Sequence, residues 1–151
     1  MISTAFLRGV LVWDDLGTAI PFVDHCKEIE REEPGSSFGF TCVSQDGLLG
    51  ASFGVSSETM AMTSPLICVA LRDVNTGLTR ELRAWFRNWT KKRRGMPGVL
   101  AVIPSGAESN RGRGRRYFQA VANTAGMNFA WGLEEFHQNV REFAHEKLVA
   151  A

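Results

Sequence analysis

The sequence predicts a doubly wound α/β domain, a parallel five-stranded sheet covered by helices on both faces to make three layers. Three observations carry this. Pro65–Leu71 (PLICVAL) and Val99–Ile103 (VLAVI) are almost wholly apolar without alternation, the pattern of strands buried on both faces. Between them Leu78, Leu82, Trp85, Phe86 and Trp89 recur at helical spacing, an apolar stripe facing a core. The same alternation of strand and helix extends along the whole chain, which argues for parallel pairing with right-handed crossovers.

Each element has its own local reason. Phe6–Trp13 (FLRGVLVW) is a first strand ended by Asp14-Asp15. A helix follows from about Thr18, which can cap it, to Glu33; Pro21 falls in its first turn, and Leu16, Ile20, Val23 and Cys26 or Lys27 turn inward. Pro34-Gly35 stops it. Ser37–Val43 is a second strand, weakened by Gly39. Between Gln45 and Thr63, QDGLLG suggests a turn and SSETMAMT a short helix capped by Ser56 or Ser57 with Met60 inward.

After the third strand, Arg72–Gly77 is a polar turn. The aromatic helix carries Arg80, Arg83 and Arg87 outward and ends in Lys91-Lys92-Arg93-Arg94-Gly95, with cations suiting a helix C-terminus and glycine its cap. The fourth strand closes in Pro104-Ser105-Gly106, and an arginine-rich loop leads to a helix with Phe118, Val121, Ala122 and Ala125 inward, capped by Gly126. Phe129–Trp131 is a short fifth strand, and Leu133, Phe136, Val140, Phe143 and Ala144 mark a final helix.

At 151 residues the chain reads as one domain, 1–151, able to bury roughly 70% of its unfolded surface. Five strands at this length suit the flavodoxin-like order 2-1-3-4-5, in which ligands bind beyond the carboxyl ends of the strands at the switch point between strands 1 and 3. That rule gives candidate ligand-binding residues without a motif. They are Asp14, Asp15, Gly17 and Thr18 after strand 1; Arg72, Asp73, Asn75 and Thr76 after strand 3; and Ser105, Gly106, Asn110 and Arg111 after strand 4.

Strand, polar turn, a helix ending Asn88-Trp89, the strand GVLAVIPSG and the loop from Ser105 to Gly112 together resemble the second half of the NADPH-dependent FMN reductases, over about residues 64–130. The resemblance implies FMN as cofactor, an NAD(P)H oxidoreductase activity, and a homodimer paired through the helices after strands 3 and 4. The phosphate loop of that family is degenerate here, since Asp14-Asp15-Leu16-Gly17-Thr18 stands in its place, and two carboxylates repel a phosphate. VLVWDD with Ser105 after VLAVI is also similar to response-regulator receiver domains, which would imply Mg²⁺ at Asp14 and Asp15. Asp73 comes late for a phosphoacceptor, and Trp131-Gly132 replaces the expected Lys-Pro.

Net charge is +1, yet residues 1–70 carry three Lys/Arg against nine Asp/Glu and residues 71–151 carry fourteen against seven. This makes either a polarised surface or two solvated faces that offset each other. The runs Lys91–Arg94 and Arg111–Arg116 lack interleaved aromatics, so nucleic acid is not the expected partner. His25, His137 and His145 lie apart, so no metal is expected. Cys26, Cys42 and Cys68 have no CxxC pairing and fit small core positions of a reduced, cytoplasmic protein. No apolar run reaches the ~20 residues of a membrane span.

The expectation is a flavodoxin-like domain that binds a partner protein or small anionic ligand at the C-terminal edge of its sheet without catalysis. An FMN-dependent NAD(P)H oxidoreductase and a degenerate receiver-like signalling domain are the alternatives. No catalytic residue is assigned.

Overall fold

The computed structural model describes residues 5–48, 53–93, 96–105 and 112–150. Its strands are β1 (Ala5–Trp13), β2 (Ser36–Ser44), β3 (Leu66–Leu71), β4 (Val99–Pro104) and β5 (Asn128–Trp131). They form one all-parallel sheet in the order β2-β1-β3-β4-β5. β3 is buried along its whole length and β4 along all but its last residue, which is why both read as unbroken apolar runs.

Among the described residues six α-helices cover the sheet: α1 (Leu16–Glu32), α2 (Phe53–Thr63), the single turn α3 (Val74–Gly77), α4 (Arg80–Trp89), α5 (Arg113–Ala125) and α6 (Gly132–Ala150). One core lies between the sheet and α1 with α6, through Phe22, Ile29, Phe136 and Val140. The other lies beneath α2, α4 and α5, through Leu82, Trp85, Phe86, Trp89 and Phe118. In this second core the Trp85 ring meets Phe86 at 5.1 Å and Trp89 at 5.3 Å, edge to face, and Trp85 Nε1 donates to Ser57 Oγ at 3.0 Å. The layers and strand order are those the sequence implies.

Several local expectations are corrected. Asp15, not Thr18, caps α1, its carboxylate accepting from the Thr18 N–H at 3.1 Å. The buried stripe of α1 is Ala19, Phe22, Cys26 and Ile29, whereas Leu16 and Ile20 are 59% and 54% exposed. Phe22, omitted from the expected stripe, sets the phase, because its ring packs 5.0 Å from Phe136 and 5.5 Å from Phe40. α2 begins at Phe53, so neither Ser56 nor Ser57 caps it.

Gly39 does not break β2, which pairs with β1 over nine residues without interruption. A Cβ on Gly39 would stand 2.6 Å from the Phe6 ring, so glycine there makes room for an aromatic lid. α5 begins at Arg113, which moves Arg113, Arg115 and Arg116 from a loop onto a helix.

The Lys91–Arg94 run is not a uniformly solvated end. α4 stops at Trp89, and Arg93 turns inward, 1% exposed, its guanidinium donating to the carbonyls of Ala61, Ser64 and Pro97. Burial pulls its pKa down to about 10, so it stays charged at neutral pH. Gly95, the expected cap, lies outside the described residues. Cys26 and Cys68 are buried as expected, but Cys42 is exposed. His25 and His137, far apart in sequence, meet edge to face at 5.8 Å between α1 and α6.

Candidate functional site

The carboxyl ends of β1, β3 and β4 are drawn together by hydrogen bonds that run through the residues the switch-point rule selects. Asp14 follows β1 directly. Its Oδ1 accepts from the Asp15 N–H at 2.8 Å and the Thr18 hydroxyl at 3.0 Å, and its Oδ2 accepts from the Arg72 N–H at 2.9 Å. The Thr18 hydroxyl is also within reach of the carbonyls of Asp15 and Ala70, which explains a threonine 4% exposed inside a helix. Ser105 joins from β4, its N–H donating to Leu71 O at 3.1 Å and its hydroxyl to Arg72 O at 3.3 Å.

The second part of the site is the connection after β3. Asp73 caps α3, its Oδ1 accepting from the Asn75 and Thr76 N–H groups. Those two side chains are exposed, so Asn75 and Thr76 join the local turn and not the Asp14 network. Gly17 sits in the first turn of α1, where a Cβ would come 3.0 Å from Asp15 Oδ1. Gly106, Asn110 and Arg111 lie outside the described residues.

Two residues that the rule did not select help to build this edge. Gln45, just past β2 and 9% exposed, donates through Nε2 to Gly77 O and, at 2.8 Å, to Thr79 Oγ1. Thr79 Oγ1 in turn accepts from the Leu82 N–H and caps α4, so one amide holds the junction of α3 and α4 against the end of β2. Gly114 is the other: a Cβ there would stand 2.5 Å from Val74 Cγ1, so glycine lets α5 begin hard against α3. The position of Gln45, directly after a strand at the ligand edge, was its only sequence signal.

The electrostatics follow from these contacts. The carboxylates of Asp14, Asp15 and Asp73 all face backbone donors. Arg72, Arg80, Arg113 and Arg116 are exposed at the same edge and have no carboxylate partner among the described residues. On a larger scale the sheet separates the two signs of charge. α1 with its entry, together with α6 as far as Ala144, carries nine carboxylates against three Lys/Arg. The opposite layer, counting Arg72–Arg93, α2 and α5, carries ten Lys/Arg against three carboxylates. The asymmetry along the chain has become a polarity across the sheet. Within the basic layer, Arg83 stacks over the Tyr117 ring at 5.1 Å, and burial raises the Tyr117 pKa although Arg83 and Arg87 oppose the shift.

A flavin phosphate at the β1–α1 turn would need donors free to turn toward it. The Asp15, Thr18 and Arg72 N–H groups and the Thr18 hydroxyl already face the carboxylates of Asp14 and Asp15, and the two negative charges repel a phosphate. The described residues of this turn do not fit that group. No cluster of three or more His, Cys, Asp or Glu suited to a metal ion occurs among the described residues. No helix among them is long and apolar enough to cross a membrane.

No family model and no curated protein matches this sequence. Among solved structures the chain is similar to a flavodoxin from Streptococcus pneumonia TIGR4, with a TM-score of 0.55, covering 94% of this chain and 99% of that one. Sequence identity is 12%, so the likeness concerns the fold. The class is thereby defined: a flavodoxin-like α/β domain, with five parallel strands in the order 2-1-3-4-5.

Proposed function

We propose that this chain is a non-catalytic flavodoxin-like binding module that engages an acidic partner protein, or a small anionic ligand, at the C-terminal edge of its sheet. One observation carries the reading. The aspartates of that edge are spent on backbone donors, while Arg72, Arg80, Arg113 and Arg116 face solvent without ion-pair partners among the described residues. Exposed guanidiniums set apart from the β1–α1 turn favour an anion, and planar, bidentate carboxylate groups suit them best.

The competing reading is an FMN-dependent NAD(P)H oxidoreductase, supported by the fold and by the resemblance around residues 64–130. A visible absorption titration of the purified chain with FMN separates the two. The binding module leaves the flavin spectrum unchanged, and stoichiometric uptake with a shifted flavin band would overturn the proposal. A receiver-like role would need Asp73 available for phosphorylation, and its carboxylate is engaged in capping α3.

A Glu-rich peptide is the probe that tests the binding module directly. Its affinity should fall roughly tenfold or more between low and physiological salt. It should fall again in the triple variant Arg72→Ala, Arg113→Ala, Arg116→Ala. Equal affinity of wild type and variant would remove the edge as the site.

A further inference from the structure

We infer that β2 is a strand-addition interface through which two copies of this chain pair. The resulting dimer is separate from the binding edge described above and joins two five-stranded sheets into one of ten strands. β2 is an outer strand. Its nine residues, SSFGFTCVS, contain no charge and no proline, and its unbroken register with β1 shows no bulge. Monomeric proteins ordinarily protect such an edge with a charge, a proline, a bulge or a covering element.

The surroundings of the edge are apolar on both faces of the sheet. On one face the Phe6 ring lies over Gly39 and is 58% exposed. On the other, a groove of about 340 Å³ is lined by Leu11, Trp13, Leu16, Ile20, Val23 and Cys42. Leu16 and Ile20 are there because the phase of α1 is set by Phe22, which leaves them 59% and 54% exposed on the side toward β2.

A second copy accounts for these features together. Antiparallel pairing of β2 with its equivalent, about a two-fold axis perpendicular to the sheet, keeps like faces on the same side. The two α1 helices then run antiparallel beside each other, covering Leu16 and Ile20. A lone extended peptide would satisfy the strand edge but brings no helix to lie against Leu16 and Ile20. β2 itself brings no charges together, and the groove carries Asp24 and Lys27, opposite signs one turn apart that antiparallel helices can exchange; the other carboxylates of α1 lie outside the groove lining.

Sedimentation velocity of the full chain across a wide concentration range tests the inference. The expected result is a reversible dimer of twice the 16.7 kDa chain mass. Thr41→Lys and Ile20→Lys should each weaken it roughly tenfold or more, with far-ultraviolet circular dichroism unchanged. A monomer at every concentration, or a dimer indifferent to both folded variants, would overturn it. Should either variant fail to fold, hydrogen exchange of the wild type decides: protection of residues 36–44 rising with concentration supports the interface, and protection rising only elsewhere refutes it.

Discussion

The Arg72 N–H donates to Asp14 Oδ2 at 2.9 Å, across 58 residues of sequence. That bond ties the end of β1 to the turn after β3, and the other oxygen of the same carboxylate anchors the start of α1. Asp14→Ala would leave the Asp15 and Arg72 N–H groups and the Thr18 hydroxyl short of an acceptor in a half-buried place. The expected loss is about 1–3 kcal/mol, measured by urea denaturation. Asp14→Asn keeps one acceptor oxygen and should lose less; equal losses would mean that the bonds at Oδ2 and Oδ1 do not contribute separately.

Arg93 holds three carbonyls, two from the approach to β3 and one from the approach to β4, and a Cβ on Gly98 would press against its Nη2 and against Pro65 O, each at 2.5 Å. Arg93→Met should cost about 2–4 kcal/mol, because buried acceptors lose a charged donor. Gly98→Ala should be destabilising too, since backbone on one side cannot yield. Thermal melts of the single and double variants should show less than additive losses, as both act on one contact.

Cys42 is exposed, and Cys26 and Cys68 are buried. A disulfide-exchange reagent should titrate one thiol in the native chain and three after unfolding. Partial burial raises the Cys42 thiol, so it should react more slowly at neutral pH than a free cysteine.

Burial, with Glu30 nearby, pushes the Cys26 thiol from 9.0 up to about 12. The folded chain therefore keeps a proton that the unfolded chain releases above pH 9, and stability from this group is complete below that value and is lost between about 9 and 12. Cys26→Ala should flatten the alkaline arm of the stability profile. An unchanged arm would assign it to other groups.

Gln45→Ala removes the amide that joins β2 to Gly77 O and Thr79 Oγ1. The expected cost is about 1–2 kcal/mol, and hydrogen exchange should quicken first in the opening turn of α4. Loss of protection spread evenly over the molecule would argue against a local role.

The legible part of the candidate site was its location. Asp14, Thr18, Arg72 and Ser105 were selected by a rule about strand ends, and hydrogen bonds bring them together. Their roles were not legible. Asp14 and Asp15 each precede a helix, and spacing alone cannot say which carboxylate caps it and which reaches another strand. Gln45 escaped notice because nothing in QDG reveals a partner 32 residues away. In α1 two phases fit the apolar residues, and the choice depended on Phe40 and Phe136, which the helix meets only in the folded chain.

The sequence by itself determined the class of fold. Unbroken apolar strands can only be buried on both faces, and helices alternating with them must supply the cover, so the order 2-1-3-4-5 followed from pattern and length. Only the tertiary structure decided which charges are spent and which are offered. Strand order places acidic α1 and α6 on one face and basic α4 and α5 on the other. Backbone donors at the strand ends absorb Asp14, Asp15 and Asp73, and the neighbouring arginines are left facing solvent. Hydrogen bonds depend on direction and distance between segments remote in sequence, which residue order does not encode locally.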